Sequence, residues 1–131
     1  MIPGEPQPAP ADRTAVLLVD DEPAFLEAMR QALGEEFAFE TAASAAAAES
    51  LLAARPFAVL ICDQVMPGEA GLGFLVRMRE RHPQTRRILL TGYINPELLS
   101  RSVRVAELSA CLLKPVAAAE LARAVRAAVG R

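Results

Sequence analysis

The sequence predicts an α/β fold in which five parallel strands form one doubly wound sheet, covered by helices on both faces. Short apolar runs recur along the 131-residue chain, and a helical stretch follows each of them. Most of these runs are continuously apolar, which is typical of parallel strands buried on both faces. A chain of this length can bury one sizeable core but is too short for two domains.

The first 14 residues differ in composition from the rest. They hold four of the ten prolines and few apolar side chains. We predict a disordered proline-rich tail over residues 1–14 and a folded domain over residues 15–131.

The first two strand and helix pairs follow the tail. We predict a buried strand at residues 16–19, then a helix that begins near Pro23 and ends at Gly34. Residues 37–41 alternate like a short strand. Ser44 is then expected to cap a helix that runs through an alanine block to Leu52, because alanine is the best helix former.

The second half repeats the pattern three times. Apolar runs at residues 59–62, 88–90 and 111–113 predict three more strands. Each is followed by a helical pattern: one after the turn-rich residues 66–71, one beginning near Pro96, and a last one that carries apolar residues from Val116 to Val129.

Polar side chains follow four of the five predicted strands. They are Asp20 with Asp21, then Asp63, Thr91 and Lys114. Ligands of open parallel sheets bind outside the carboxyl ends of the strands, so we expect these groups to converge on one shallow site. Three crowded carboxylates repel one another and need a cation, and oxygen ligands of this kind suit Mg²⁺.

This set of groups favours phosphoryl transfer. The reaction depends on positioning and charge stabilisation, and a central carboxylate can act as the nucleophile to give an aspartyl phosphate. Lys114 is the only lysine beside 13 arginines, which suggests a position that needs a compact point charge. Thr91 and Lys114 would hold the phosphoryl oxygens.

Four motifs, in this order and spacing, resemble the receiver domain of two-component response regulators: Asp20-Asp21-Glu22, Asp63-x-x-Met66-Pro67-Gly68, Thr91-Gly92 and Lys114-Pro115. The resemblance covers residues 15–129. It implies a flavodoxin-like strand order 2-1-3-4-5. It also implies that Asp63 accepts the phosphoryl group, that Asp20, Asp21, Asp63 and the Val65 carbonyl bind Mg²⁺, and that Thr91 and Lys114 contact the phosphate.

The resemblance also gives roles to three further positions. Cys111 stands where many receivers carry an aromatic residue that moves inward on activation, so we do not expect an aromatic switch of that type. Val65 and Tyr93 occupy the two positions that tune dephosphorylation in the family. Because an apolar residue and a bulky ring should hinder an attacking water, we predict a long-lived phosphorylated state.

The expected function is a signalling switch, not an enzyme, since it would catalyse only its own phosphorylation and dephosphorylation. The donor would be a histidine kinase or phosphotransfer protein. Residues 96–129 would contact an unknown downstream protein, with a homodimer as one option. Output would require another protein or self-association, because no effector domain follows in the sequence.

Composition and the lack of targeting signals limit the other partners and the location. The net charge is −2, the pI is about 5.5 and the arginines are scattered, so we expect no nucleic-acid partner. No signal peptide and no apolar run of about 20 residues is present, so we expect a cytoplasmic protein without a membrane partner.

Several alternatives remain at this point. Each motif alone could be structural, since Asp20-Asp21-Glu22 could simply cap a helix. The chain could also be the receiver portion of a longer protein. A Mg²⁺-dependent phosphatase is disfavoured because a second aspartate does not follow Asp20 or Asp63 by two residues. A flavodoxin-type carrier is disfavoured because the acids that follow the first strand would repel the cofactor there.

Overall fold

A computed structural model describes residues 13–92 and 95–130 of the protein, and within them five strands alternate with five helices. The strands are all parallel and lie in the order β2-β1-β3-β4-β5. The predicted fold class and the strand order implied by the resemblance are therefore confirmed.

The elements have the following bounds. The strands are β1 (Ala15–Val19), β2 (Ala38–Ala42), β3 (Val59–Asp63), β4 (Arg86–Thr91) and β5 (Ala110–Leu113). The helices are α1 (Pro23–Leu33), α2 (Ala45–Ala54), α3 (Gly71–Arg81), α4 (Pro96–Ala106) and α5 (Ala118–Ala128).

The sheet separates two apolar layers, because successive side chains of each strand point to opposite faces. On one face, Val16 and Leu18 of β1 belong to a cluster that includes the buried residues of α1 and α5. On the other, Leu17 and Val19 belong to a cluster with the buried residues of α2 and α3. Both faces of the central strands are thus buried, which explains their continuously apolar sequence.

Local signals predicted most element ends. Pro23 is the first residue of α1, and the Ser44 hydroxyl accepts a hydrogen bond of 3.1 Å from the Ala47 amide at the start of α2. The last helix is shorter than its apolar pattern suggests. Val116 is buried but precedes α5, and Val129 is the residue that caps the carboxyl end of α5. Both pack against the core from outside the helix, so the apolar pattern extends beyond α5 at both ends.

The folded part begins close to the predicted tail boundary. Thr14 is buried, and its carbonyl accepts a hydrogen bond of 2.9 Å from the Ala38 amide. Arg13 donates to the Gly34 carbonyl. The other twelve residues assigned to the tail lie outside the described residues.

The described helices are short. None of them is both long enough and apolar enough to cross a membrane.

Candidate functional site

The carboxyl ends of β1, β3, β4 and β5 bring the predicted site residues to one edge of the sheet. Asp63 is the last residue of β3 and Thr91 the last of β4, whereas Asp20 and Lys114 directly follow β1 and β5. Backbone hydrogen bonds fix these ends: the Asp20 amide donates to Ala42 and the Lys114 amide donates to Thr91. The Lys114–Pro115 peptide bond is cis.

Three carboxylates meet at this edge. Asp20, Asp21 and Asp63 each have an oxygen within 4.8 Å of the others. Asp20 is fully buried and Asp63 nearly so, while Asp21 is exposed. The cluster therefore has a rigid base inside the protein and opens to solvent on the side of Asp21.

The Lys114 ammonium lies among these acids. Its Nζ donates to Asp20 Oδ2 at 2.9 Å and to Asp63 Oδ1 at 3.5 Å, and lies 3.8 Å from Glu22 Oε1. The ammonium also lies 4.7 Å from the centre of the Phe25 ring, within the range of a cation–π interaction. One cation thus contacts two buried carboxylates at once.

The charges at the site do not balance. Burial raises the pKa of the Asp63 carboxyl; Lys114 counteracts this shift, while the charges of Asp20 and Asp21 reinforce it. Burial alone would lower the pKa of the Lys114 ammonium, but the hydrogen bond to Asp20 and the nearby acids raise it overall. Three carboxylates beside one ammonium leave an excess of negative charge, and their oxygen donors are the type that hard divalent cations take.

The loop between β3 and α3 is anchored at Gln64, the residue after Asp63. The Gln64 amide donates to the Leu90 carbonyl at 2.8 Å, and the Gln64 carbonyl accepts from the Gly71 amide at 2.9 Å. Its side-chain Oε1 accepts from the Leu72 amide at 2.8 Å. Val65 comes next and is 75% exposed, so its side chain stands at the open side of the loop.

Gly71 closes this loop against Asp63. A Cβ atom at position 71 would lie 2.1 Å from the Asp63 carbonyl oxygen and 2.9 Å from the Gln64 Cα. Both neighbours are backbone atoms, so no side-chain movement could make room. Only glycine allows α3 to begin this close to the carboxylate.

The remaining predicted positions lie around this centre. Thr91 is buried at the end of β4, and its neighbour Gly92 is exposed. Cys111 is half-buried on β5, where it pairs in register with Leu89 and packs against the cluster on the α2 and α3 side. Tyr93 lies outside the described residues.

Both cysteines are free, and Cys62 lies in the core beside the site. The Cys62 thiol donates to the Asp63 carbonyl at 3.3 Å. Burial, and then the charges of Asp63 and Asp20, raise the pKa of this thiol, so it stays protonated and unreactive.

Sequence reasoning missed three residues that shape the site: Phe25, Gln64 and Gly71. Gly71 did carry a signal, since it ends the turn-rich segment before a helix. Phe25 lies on α1, and nothing in the sequence signals that its half-exposed ring contacts a lysine 89 positions later.

Comparison with known proteins agrees with the resemblance to receiver domains stated above. The sequence model of the response regulator receiver domain family matches residues 16–126. The chain is 41% identical over 117 residues to the hydrogenase transcriptional regulatory protein HoxA of Cupriavidus necator. That alignment covers 89% of this chain but only 24% of the relative, so the chain spans about a quarter of that regulator.

Solved structures agree with the sequence match. The signal receiver domain of an HD domain-containing protein from Pseudomonas fluorescens Pf-5 superposes with a TM-score of 0.82 at 32% identity, covering 89% of this chain and 94% of that one. A CheY-like receiver domain protein from Methanospirillum hungatei gives a TM-score of 0.81 at 26% identity, covering 88% and 93%.

Proposed function

The chain belongs to the response regulator receiver domain family of two-component systems, and on this premise we propose that Asp63 is its phosphoryl acceptor. The observation that carries the proposal is the position of Asp63. It has an oxygen within 4.8 Å of both Asp20 and Asp21 and lies 3.5 Å from the Lys114 ammonium, whereas Asp20, which is closer to Lys114 at 2.9 Å, is fully buried. Being 6% exposed, Asp63 still reaches the open side of the site.

The acidic cluster fits Mg²⁺. Asp20, Asp21, Asp63 and the backbone carbonyl of Val65 would hold the ion, since all are hard oxygen donors. When bound, Mg²⁺ supplies the positive charge that offsets the carboxylates and an incoming phosphoryl group. Burial, and then the charges of Asp20 and Asp21, raise the pKa of Asp63, and a bound cation would counteract this shift.

The proposed reaction is an in-line transfer. A carboxylate oxygen of Asp63 forms a bond to phosphorus as the bond to the donor histidine nitrogen breaks, and that nitrogen keeps the electron pair. Lys114, already 3.5 Å from Asp63, would pair with a phosphoryl oxygen, and the Thr91 hydroxyl would hold another. The protein would catalyse only this phosphorylation and the later hydrolysis, in which water attacks the phosphorus and releases inorganic phosphate and the free Asp63 carboxylate.

Output is proposed to pass through residues 96–129, the segment of α4, β5 and α5. Response regulators receive phosphoryl groups from histidine kinases and act on downstream effectors. Several side chains of this segment are exposed, including Val103, Val105 and Leu113. Contact with a downstream protein or a second copy would cover them.

The similarity to HoxA supports a second, narrower proposal. HoxA is named as a transcriptional regulatory protein, and so we propose that this receiver controls transcription. The absence of a nucleic-acid partner stays a prediction for the receiver segment itself. Transcript levels in cells carrying Asp63→Ala should differ from those in the wild type, and an unchanged transcriptome would contradict the proposal.

Intact mass after incubation with acetyl phosphate tests the main proposal. The native protein with Mg²⁺ should gain one phosphoryl group that is stable in acid and labile in base. Asp63→Ala should gain none, and removal of Mg²⁺ with EDTA should prevent the gain in the native protein. A gain in folded Asp63→Ala, or none in either protein, would contradict it.

A further inference from the structure

Helix α3 begins without the usual side-chain cap. The first amides of a helix have no partner inside it, and a Ser, Thr, Asp or Asn normally accepts from one of them. The capping position of α3 is occupied by Ala70, which carries no acceptor in its side chain. The first helical residues, Gly71 and Leu72, bring no acidic group to the first turn either.

Gln64 supplies the missing acceptors from across the loop. Its backbone carbonyl accepts from the Gly71 amide and its side-chain Oε1 from the Leu72 amide, at 2.9 and 2.8 Å. A single residue therefore partners two of the donors at the start of α3. The segment from residue 64 to residue 72 becomes a closed loop tied at its base.

The far side of the loop has its own anchor. The guanidinium of Arg77 on α3 donates to both carboxylate oxygens of Glu69, at 2.9 and 2.6 Å. The same guanidinium also pairs with Glu49 on α2. Glu69 is thus held from α3 and α2, whereas Gln64 holds the end of the loop next to the carboxylate cluster.

We propose that Gln64 is a positioning residue for the metal and phosphoryl site, acting through its side-chain cap on Leu72. Gln64 lies between Asp63 and Val65, which supply a carboxylate and a backbone carbonyl to the proposed Mg²⁺ site. The inference rests on that proposed function. The Gln64 side chain accepts from the Leu72 amide of α3, so it would act on the Asp63 and Val65 groups through the peptide that joins them.

The physical reason is the short distance between the cap and the site. Without the Oε1 acceptor, the Leu72 amide loses its partner and must find water, so the start of α3 loosens. The Gly71 contact with the Asp63 carbonyl is too close to absorb a shift of the helix start. Movement there would displace the Asp63 and Val65 peptides. Loss of a partner bonded directly to a metal ligand weakens metal binding by about 10–100-fold, and we expect the lower end of that range for Gln64, which acts through the loop.

The test compares three variants of the whole chain. Gln64→Leu keeps the approximate size but removes the acceptor, and Gln64→Glu keeps an oxygen at the same length. Ser44→Ala is the matched control, because it removes a side-chain cap of the same kind from α2. Mg²⁺ affinity by calorimetry and the exchange rate of the Leu72 amide by NMR are measured for each.

We expect Gln64→Leu to weaken Mg²⁺ binding about tenfold and to speed exchange at Leu72. Gln64→Glu should keep the exchange rate of the Leu72 amide near that of the native protein. Its Mg²⁺ affinity should be equal to that of the native protein or higher. Ser44→Ala should lower the melting temperature by about 3–6 °C and leave Mg²⁺ affinity unchanged.

Unchanged Mg²⁺ affinity in Gln64→Leu would overturn the inference, and so would an equal loss in Ser44→Ala. Either result would leave Asp63 phosphorylation intact in the native protein. If the native protein itself bound no Mg²⁺, the proposed function would fail and the inference with it, so the two failures are distinguishable.

Discussion

At the scale of single residues, Val65 combines two features that bear on the lifetime of the phosphorylated state. It is an apolar side chain that is 75% exposed, and it lies two residues after the proposed acceptor. Its carbonyl is proposed to face the metal while its side chain stays at the open side of the loop. Because this side chain is apolar and exposed beside the proposed acceptor, we infer that it hinders a water molecule approaching the phosphoryl group from solvent.

We predict slow dephosphorylation for this reason, together with the bulk of Tyr93 expected from the sequence. After donor removal, intact mass measured over time should show a half-life of many minutes or longer. Val65→Asn, which replaces the apolar side chain by a polar one that can hold water, should shorten it severalfold. A native half-life of seconds would contradict the prediction.

Gly71 and Gly73 offer a second test at this scale, since they lie two residues apart in α3. A Cβ at position 71 would overlap backbone of Asp63, whereas at position 73 the nearest atom is Glu69 Oε2 at 3.9 Å. Gly71→Ala should lower the free energy of unfolding by about 1–3 kcal/mol through overpacking. Gly73→Ala should raise it by up to about 1 kcal/mol through helix propensity.

Urea unfolding of the two variants provides the measurement, with the native protein alongside. Equal effects of the two substitutions would show that the close approach at Gly71 carries no special energetic cost. A destabilised Gly71→Ala that also phosphorylates poorly would link the loop closure to the site.

At the scale of elements, the end of α4 is held by arginines from two neighbours. Arg87 on β4 is buried and donates to the carbonyls of Thr85, Ala106 and Glu107. Arg79 on α3 donates to the Val105 carbonyl. Burial lowers the pKa of the Arg87 guanidinium, while the Glu107 charge opposes that shift. Helix α4 is therefore fixed at its carboxyl end.

We expect Arg87→Met to lower the free energy of unfolding by about 2–3 kcal/mol, because buried carbonyls lose their donors. Arg86→Met on the same strand is the control. Arg86 is exposed, and its loss should change the free energy of unfolding by less than about 0.5 kcal/mol. Similar values for both variants in urea unfolding would contradict this account of the end of α4.

Sequence predicted elements where the signal was local. Ser44, Pro23 and the apolar runs marked helix starts and strands because capping and burial depend on neighbouring residues. Contacts between distant residues were not predictable, as Arg87 shows. An arginine at the start of an apolar run predicts a solvated strand end. The burial of Arg87 depends on carbonyls about 20 residues away.

At the scale of the whole molecule, the site was predictable because of parallel topology. Asp20, Asp63, Thr91 and Lys114 are far apart in the sequence, but the carboxyl ends of parallel strands share one edge. Their convergence therefore followed from the strand pattern. The role of Gln64 did not, because a glutamine after a strand reaches the start of α3 only through the loop conformation.

Tryptic mapping identifies directly which carboxylate carries the phosphoryl group. The native protein is phosphorylated with acetyl phosphate and Mg²⁺, then reduced with borohydride, which converts the aspartyl phosphate to homoserine. Cleavage after Arg13, Arg30 and Arg77 places Asp20 and Asp21 in residues 14–30, and Asp63 in residues 31–77 as the only aspartate. We expect the modification in residues 31–77 alone, and finding it in residues 14–30 would contradict the account.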